Sequence, residues 1–207
     1  MAATYKSHPW HGVAIGDDAP AVVTAFIEIV PGDTVKYEVD KASGYLKVDR
    51  PNQYSSIAPA LYGFLPQTFC GPRIAQFCAE RTGKEIKAGD GDPLDICVLS
   101  EHSFSRGDIL LQAVPIGGLR LVDRGEADDK IIAVLLHDEV HGAWTDINDC
   151  PSGLLTRLKH YFLTYKSMPG EVRLGIEITD VYGRDDAHEV IRLAQADYGA
   201  AFLGRSD

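Results

Sequence analysis

The sequence predicts an α+β protein that is mainly β: a barrel-like or sandwich body of short strands with helices packed outside it. Two observations carry this. From residue 20 to about residue 136, short runs alternating apolar with polar residues are broken by Gly, Pro and Asp turns. Beyond residue 150 the period lengthens to that of amphipathic helices. With 207 residues the prior is a single domain. Roughly 70% of the unfolded surface of such a chain can be buried, enough for a core without staples.

The elements follow in order. A first strand is expected over 22–30, then a hairpin of 35–40 and 44–49 turning at Lys41-Ala42-Ser43-Gly44. In its first arm Val35, Tyr37 and Val39 alternate with Lys36, Glu38 and Asp40, so Lys36 and Glu38 share a face. Further strands are expected over 95–99, 109–116 and 130–136. Leu154, Leu155, Leu158, Tyr161, Phe162 and Tyr165 then form one helical stripe, beginning at Pro151 and stopping at Met168-Pro169-Gly170. A last strand over 172–181 precedes a helix with Val190, Ile191, Ala194, Tyr198 and Phe202 on one side, and Asp186 with Glu189 resembles a capping box at its start. Residues 67–89, with Cys70, Cys78 and four basic side chains, show no clear period and read as an insertion. The whole is one domain, 1–207, with an N-terminal arm over 1–20.

Composition narrows the function. Hydrophobic residues are 45% and charged residues 24%, as in globular proteins, which excludes disordered and fibrous classes. The longest purely apolar run, Ile131 to Leu136, is far below the roughly 20 residues a membrane span needs. The start MAATYKSHPWHG has no basic-then-apolar leader, and the four cysteines form no CxxC pair. Reduced thiols and a cytoplasmic location are expected. A net charge of −10 disfavours nonspecific nucleic-acid binding, because a phosphate backbone rewards a basic surface.

The sharpest feature is Asp90-Gly91-Asp92-Pro93-Leu94-Asp95, running into the apolar segment Ile96-Cys97-Val98-Leu99. Three carboxylates within six residues repel one another unless a cation neutralises them. Hard divalent ions such as Mg²⁺ or Ca²⁺ take carboxylate oxygens. An EF-hand fails, since Leu94 and Asp95 fall where an oxygen ligand and a glycine are required. The plain alternative is a solvated acidic turn. A second acidic group, Asp123-Arg124-Gly125-Glu126-Ala127-Asp128-Asp129-Lys130, reads as a polar hairpin loop whose Asp123 and Asp128 can converge on the same end of the body. Carboxylates from two loops suffice for more than one ion, and paired ions serve displacement at phosphorus. Lys36, Arg50, Tyr62, Lys130, Tyr165 and Lys166 are the candidate phosphate partners, each with an ordinary structural explanation as well.

Taken together these residues resemble the family I soluble inorganic pyrophosphatases. The acidic segment matches that family's DxDPxD signature. Around it lie, in family order, Phe-Ile-Glu28-Ile, Lys36-Tyr37-Glu38-Val-Asp-Lys, Leu-Lys-Val-Asp49-Arg50, Leu61-Tyr62-Gly63-Phe64, Asp123…Asp128-Asp129-Lys130 and Tyr165-Lys166, spanning roughly residues 22–182. The resemblance implies an OB-like five-stranded β-barrel with flanking C-terminal helices. It also implies hydrolysis of pyrophosphate to two orthophosphates by metal-activated water, with three or four Mg²⁺ ions, in a homo-oligomer of two or six copies. By the same carry-over Asp92 is the general base. Asp90, Asp95 and Asp128 hold the first metal, Asp95 also faces the second, Asp123 and Asp128 hold the third, and Glu28 serves a fourth with Glu38 in support. Lys36, Arg50, Tyr62, Lys130, Tyr165 and Lys166 grip the phosphates.

Two features depart from the compact bacterial pattern. Tyr62 and Asp90 are separated by 27 residues, which the insertion explains, and a surface loop is the expectation there. The arm over 1–20, with His8, Trp10 and His11, is expected to pack loosely. Two other functions compete. One is an OB-type binding module with a structural metal. The other is a metal-dependent nucleotide phosphohydrolase, although no P-loop sequence is present.

Overall fold

The computed structural model describes residues 6–166 and 175–204. Ten strands and three α-helices run in the order β1 (Val23–Ile29), β2 (Val35–Val39), β3 (Leu46–Pro51), β4 (Leu61–Phe64), α1 (Pro72–Thr82), β5 (Ala88–Gly89), β6 (Asp95–Leu99), β7 (Ile109–Asp123), β8 (Glu126–Ala127), β9 (Lys130–Leu135), α2 (Ser152–Thr164), β10 (Ile176–Gly183) and α3 (Arg184–Tyr198) among these residues. Five strands hydrogen-bond in the ring β1-β4-β6-β9-β7, and β7 pairs back to β1 to close it. The expected five-stranded barrel is this ring. β2 and β3 form a separate hairpin, Lys36 opposite Arg50.

Alternation assigns each strand two jobs. Val23, Ala25 and Ile27 of β1, Ile96 and Val98 of β6, and Ile131 and Ala133 of β9 bury completely in one cluster that also takes Ala187, Val190, Ile191 and Ala194 of α3. The opposite faces, including Cys97, Leu99, Leu119, Leu121, Ile132 and Val134, pack against Leu158 and Phe162 of α2. The residues between the two acidic groups are thus held from both sides.

Several elements differ from the sequence reading. The 67–89 segment contains α1, and Ile74, Ala75 and Cys78 face the core, so it is no loose surface loop. Its N-terminus is capped from afar: Asp197 of α3 accepts the backbone N–H of Gly71, Arg73 and Ile74 at 3.0–3.3 Å, and Arg73 Nη1 donates to it at 2.9 Å. The N-terminal arm packs closely, with Trp10 4% exposed and its Nε1 donating to the Thr68 carbonyl at 2.8 Å. β4 was invisible as a strand because four residues are too few to show a period. β7 continues past residue 116 to Asp123 through an irregular register at Pro115–Gly117, where Pro and two glycines interrupt the pattern. At Gly118 a Cβ would lie 2.4 Å from the Tyr182 ring, so this close approach requires glycine. The capping box expected for α3 does not form: Gly183 is the N-cap, and Asp186 instead receives Arg81 and Arg120. The expected end of α2 at 168–170 and the start of the last strand at 172 lie outside the described residues.

Candidate active site

The site lies on the outside of the ring, where four neighbouring strands present their outward residues: Glu28 of β1, Tyr62 of β4, Asp95 of β6 and Lys130 of β9. Register makes this specific. Ile29 pairs with Tyr62, Phe64 with Asp95, and Asp95 sits directly opposite Lys130 in the parallel β6–β9 pair. A one-residue slip in any of them would turn these side chains into the core.

The acidic segment is a loop leading into β6. Gly91 takes φ +76°, a conformation that favours glycine, and Asp90 Oδ1 accepts the Asp92 N–H at 2.9 Å. The segment before α1 braces this loop. Cys70 N–H donates to the Asp92 carbonyl at 2.8 Å, and Leu94 N–H donates to Thr68 Oγ1 at 2.9 Å. The second acidic group begins as the expected hairpin, with Arg124 at φ 55° and Gly125 at 86°, both central positions of a two-residue turn.

Three neighbouring clusters result. In the centre Lys130, 4% exposed, contacts both Asp95 and Asp128, the Tyr62 hydroxyl donates to Asp95 Oδ2 at 2.6 Å, and Lys130 lies 5.9 Å from the centroid of the Phe162 ring. On one side, a cavity of about 90 Å³ is lined by Glu28, Lys36, Glu38, Lys41, Tyr62, Asp92 and Asp95 among others. A smaller cleft beside it shares Lys36 and Tyr62 and adds Arg50 and Tyr165. Lys36 Nζ lies 3.1 Å from both Glu38 and Asp49. At the third cluster Lys166 Nζ donates to Asp123 Oδ2 at 2.9 Å. Glu28, Lys36, Glu38, Arg50, Tyr62, Asp92, Asp95 and Tyr165 therefore line these two clefts, Asp90, Asp128 and Lys130 adjoin them through Asp95, and Asp123 with Lys166 forms a separate pair. A larger cavity of about 570 Å³, between residues 54–59 and α2, borders the site through Ser56 and Tyr161 but holds none of the carboxylates.

Charge is out of balance here. Burial lifts the Glu28 carboxyl to about 8, although Val39 N–H donates to it at 2.7 Å. Burial, then the facing Asp128, raises Asp90 well above the ordinary carboxylate range. Burial also raises Asp95 against the pull of Lys130. Asp123 Oδ1 is buried and finds no hydrogen-bond partner among the described residues. The same crowding holds Lys130 charged, its affinity for the proton raised by Asp128 and Asp95 against the cost of burial.

One lysine is thus too little positive charge for Asp90, Asp95 and Asp128, and hard oxygen donors in excess suit divalent cations such as Mg²⁺. Among the described residues no three His, Cys, Asp or Glu side chains are drawn together as a single ready-made ion site. Lys130 contacts both Asp95 and Asp128 and bridges them.

Sequence reasoning gave no role to Lys41, which reaches from the hairpin turn to Asp92, nor to Asp49, which receives both Lys36 and Arg50. Lys41 carried only a turn signal, and its partner is 51 residues away. Asp49 was visible only as the residue next to Arg50.

Comparison with known proteins shows the family. A family model described as inorganic pyrophosphatase matches residues 25–199. The inorganic pyrophosphatase of Chlamydia muridarum is 50% identical over 200 residues, covering 95% of this chain and 96% of that protein. That of Chlamydia caviae is 52% identical over 195 residues, covering 92% and 90%. The crystal structure of the Thermus thermophilus inorganic pyrophosphatase superposes with a TM-score of 0.75 at 30% identity, covering 93% of this chain and 99% of that one. With most of its length matched by the family and by relatives at half identity, the chain belongs to the inorganic pyrophosphatase family.

Proposed function

We propose that this chain hydrolyses inorganic pyrophosphate to two orthophosphates with Mg²⁺. The observation that carries the reading is the outward face of four adjacent strands, where carboxylates outnumber cations beside a cleft edged with Lys36, Arg50, Tyr62 and Tyr165. Asp90, Asp95, Asp123, Asp128 and Glu28 would hold three to four Mg²⁺ ions, with Glu38 in support. Bound there, the ions supply positive charge to the phosphate oxygens and make water more acidic.

The remaining work falls to the chain itself. Asp92 differs from the other acids: its side chain is 48% exposed, against 20% for Asp95 and 16% for Asp128. It can therefore meet a water molecule and take its proton as general base. Lys36, Arg50, Lys130 and Lys166 neutralise the phosphate groups, Arg50 in a planar fork suited to two oxygens. Tyr62 and Tyr165 fix orientation through their hydroxyls. Phe162 forms an apolar wall under Lys130, which lowers the local dielectric and strengthens each of these contacts.

The four cysteines are free and buried, which supports a reducing compartment, and we place the protein in the cytoplasm as a homo-oligomer. Among the described residues no helix is long and apolar enough to cross a membrane. Phosphate release from pyrophosphate, ATP and a phosphomonoester, each with Mg²⁺, tests the reading. Turnover of pyrophosphate far above the other two is expected. A preference for ATP would point instead to a nucleotide phosphohydrolase.

A further inference from the structure

A second buried cation lies behind the site. Arg120 of β7 is 1% exposed and faces away from the cleft, its guanidinium 4.5 Å from the Tyr182 ring centroid and 5.2 Å from that of Phe77. Its Nη2 donates to Asp186 at 3.2 Å, while Asp180 lies 3.7 Å from Nη1 and Asp129 3.8 Å from Nε. Asp129 is 2% exposed, and its Oδ2 accepts the Tyr182 hydroxyl at 3.1 Å.

Asp129 sits between Asp128 and Lys130, two of the residues given to the metal and the phosphate above. Neighbouring side chains on an extended segment point to opposite sides, so Asp129 turns to the core where Asp128 and Lys130 turn to the cleft. The ladder to β7 agrees. Ala127 pairs with Val122, Asp128 N–H donates to the Leu121 carbonyl at 2.9 Å, and Lys130 pairs with Leu119, leaving Asp129 level with Arg120. Residues 128 and 129 form the joint between β8 and β9, outside both strands. The backbone bonds fix the position of this joint, and the side-chain anchors of Asp129 fix its rotation about the chain axis.

We propose that Asp129, hydrogen-bonded by Tyr182 and facing the Arg120 guanidinium, is a positioning residue that sets the direction in which Asp128 and Lys130 enter the cleft. The inference rests on the pyrophosphatase reading for the roles of those two side chains. A group that orients a metal ligand from behind affects metal affinity or activity by typically 10- to 100-fold.

The test is Mg²⁺ binding by calorimetry, with thermal unfolding alongside, on wild type, Asp129→Asn and Tyr182→Phe. Asp129→Asn keeps the shape and removes the charge. Tyr182→Phe removes one hydroxyl, and keeps the test open should the first variant fail to fold. Asp138→Ala is the control for plain destabilisation: Asp138 accepts the N–H of Glu101 at 2.9 Å and of His141 at 2.8 Å, in a loop remote from the cleft. Folded Asp129→Asn or Tyr182→Phe protein should bind Mg²⁺ about tenfold more weakly, whereas Asp138→Ala should lose thermal stability and keep wild-type binding. Wild-type Mg²⁺ affinity in folded Asp129→Asn and Tyr182→Phe would overturn the inference. Wild type that binds Mg²⁺ yet releases no phosphate from pyrophosphate would overturn the functional reading, while the positioning role would still be read from binding.

Discussion

Lys130 and Arg120 are two buried cations on opposite faces of one sheet, and each gathers carboxylates. Lys130 contacts Asp95 and Asp128, with Asp90 pressing on Asp128 from beside. Arg120 faces Asp129, Asp180 and Asp186. In both clusters acid exceeds base, and burial lifts Asp129 to about 7 despite the guanidinium. The difference is access. The acids around Lys130 open on a cleft where a dissolved ion or phosphate can join them. Arg120 itself is covered by the Phe77 and Tyr182 rings and lies beside the buried Asp129, while Asp186 and Asp180 reach the surface at its outer edge, so no cleft leads to the guanidinium. An excess of carboxylate beside a cleft can be balanced by dissolved cations, whereas around a covered guanidinium it is a structural cost met by packing.

The largest effect expected from the open side is on rate. Asp92→Asn should lower kcat by roughly 10²–10⁴, the usual scale for a general base, and leave thermal stability unchanged because that side chain is half exposed. A variant of near-full activity would remove Asp92 from the role.

The comparison itself is tested by Arg120→Met and Lys130→Met, measured by denaturant unfolding with and without Mg²⁺. Each removes one partner from a buried charge set, at a cost of about 3–5 kcal/mol in metal-free protein. Mg²⁺ should recover much of the loss in Lys130→Met, since the ion can stand between Asp95 and Asp128. In Arg120→Met it should add no more than it adds to wild type. Equal responses to Mg²⁺ in the two variants would erase the distinction between open and closed sites.

A smaller effect sharpens it. Asp197 is a third buried charge, balanced by backbone N–H groups at the start of α1 as well as by Arg73. Asp197→Ala should cost about 1–3 kcal/mol, the range for leaving such donors unpaired, in thermal or denaturant unfolding. Pyrophosphate turnover at saturating Mg²⁺ should be unaffected.

The open site was far more legible in the sequence than the closed one. The cleft residues stand in short runs with strong local signatures: Asp90 to Asp95, Lys36 with Glu38, and Asp123 to Lys130. Strand alternation was enough to place Lys36 beside Glu38. The Arg120 cluster draws on β7, β10, α3 and the joint before β9, and Arg120 and Asp186 are 66 residues apart. Helix α1 escaped notice for a related reason. Its boundary residues, Pro72 at the start and Gly83 with φ 66° at the end, were in plain view, but its capping acid is Asp197. The docking of the N-terminal arm likewise depends on Trp10 meeting Thr68, a pairing that no local pattern encodes. Local signals thus revealed the chemistry, and long-range packing hid the frame that supports it.

A cleft with this surplus of carboxylates should admit a polyanion only after divalent cations have reversed its charge. Calorimetric binding of imidodiphosphate, the non-hydrolysable analogue of pyrophosphate, with and without Mg²⁺ tests it most directly. Binding should require Mg²⁺ and vanish with a chelator; equal affinity in metal-free protein would mean that the cleft takes the anion without cations.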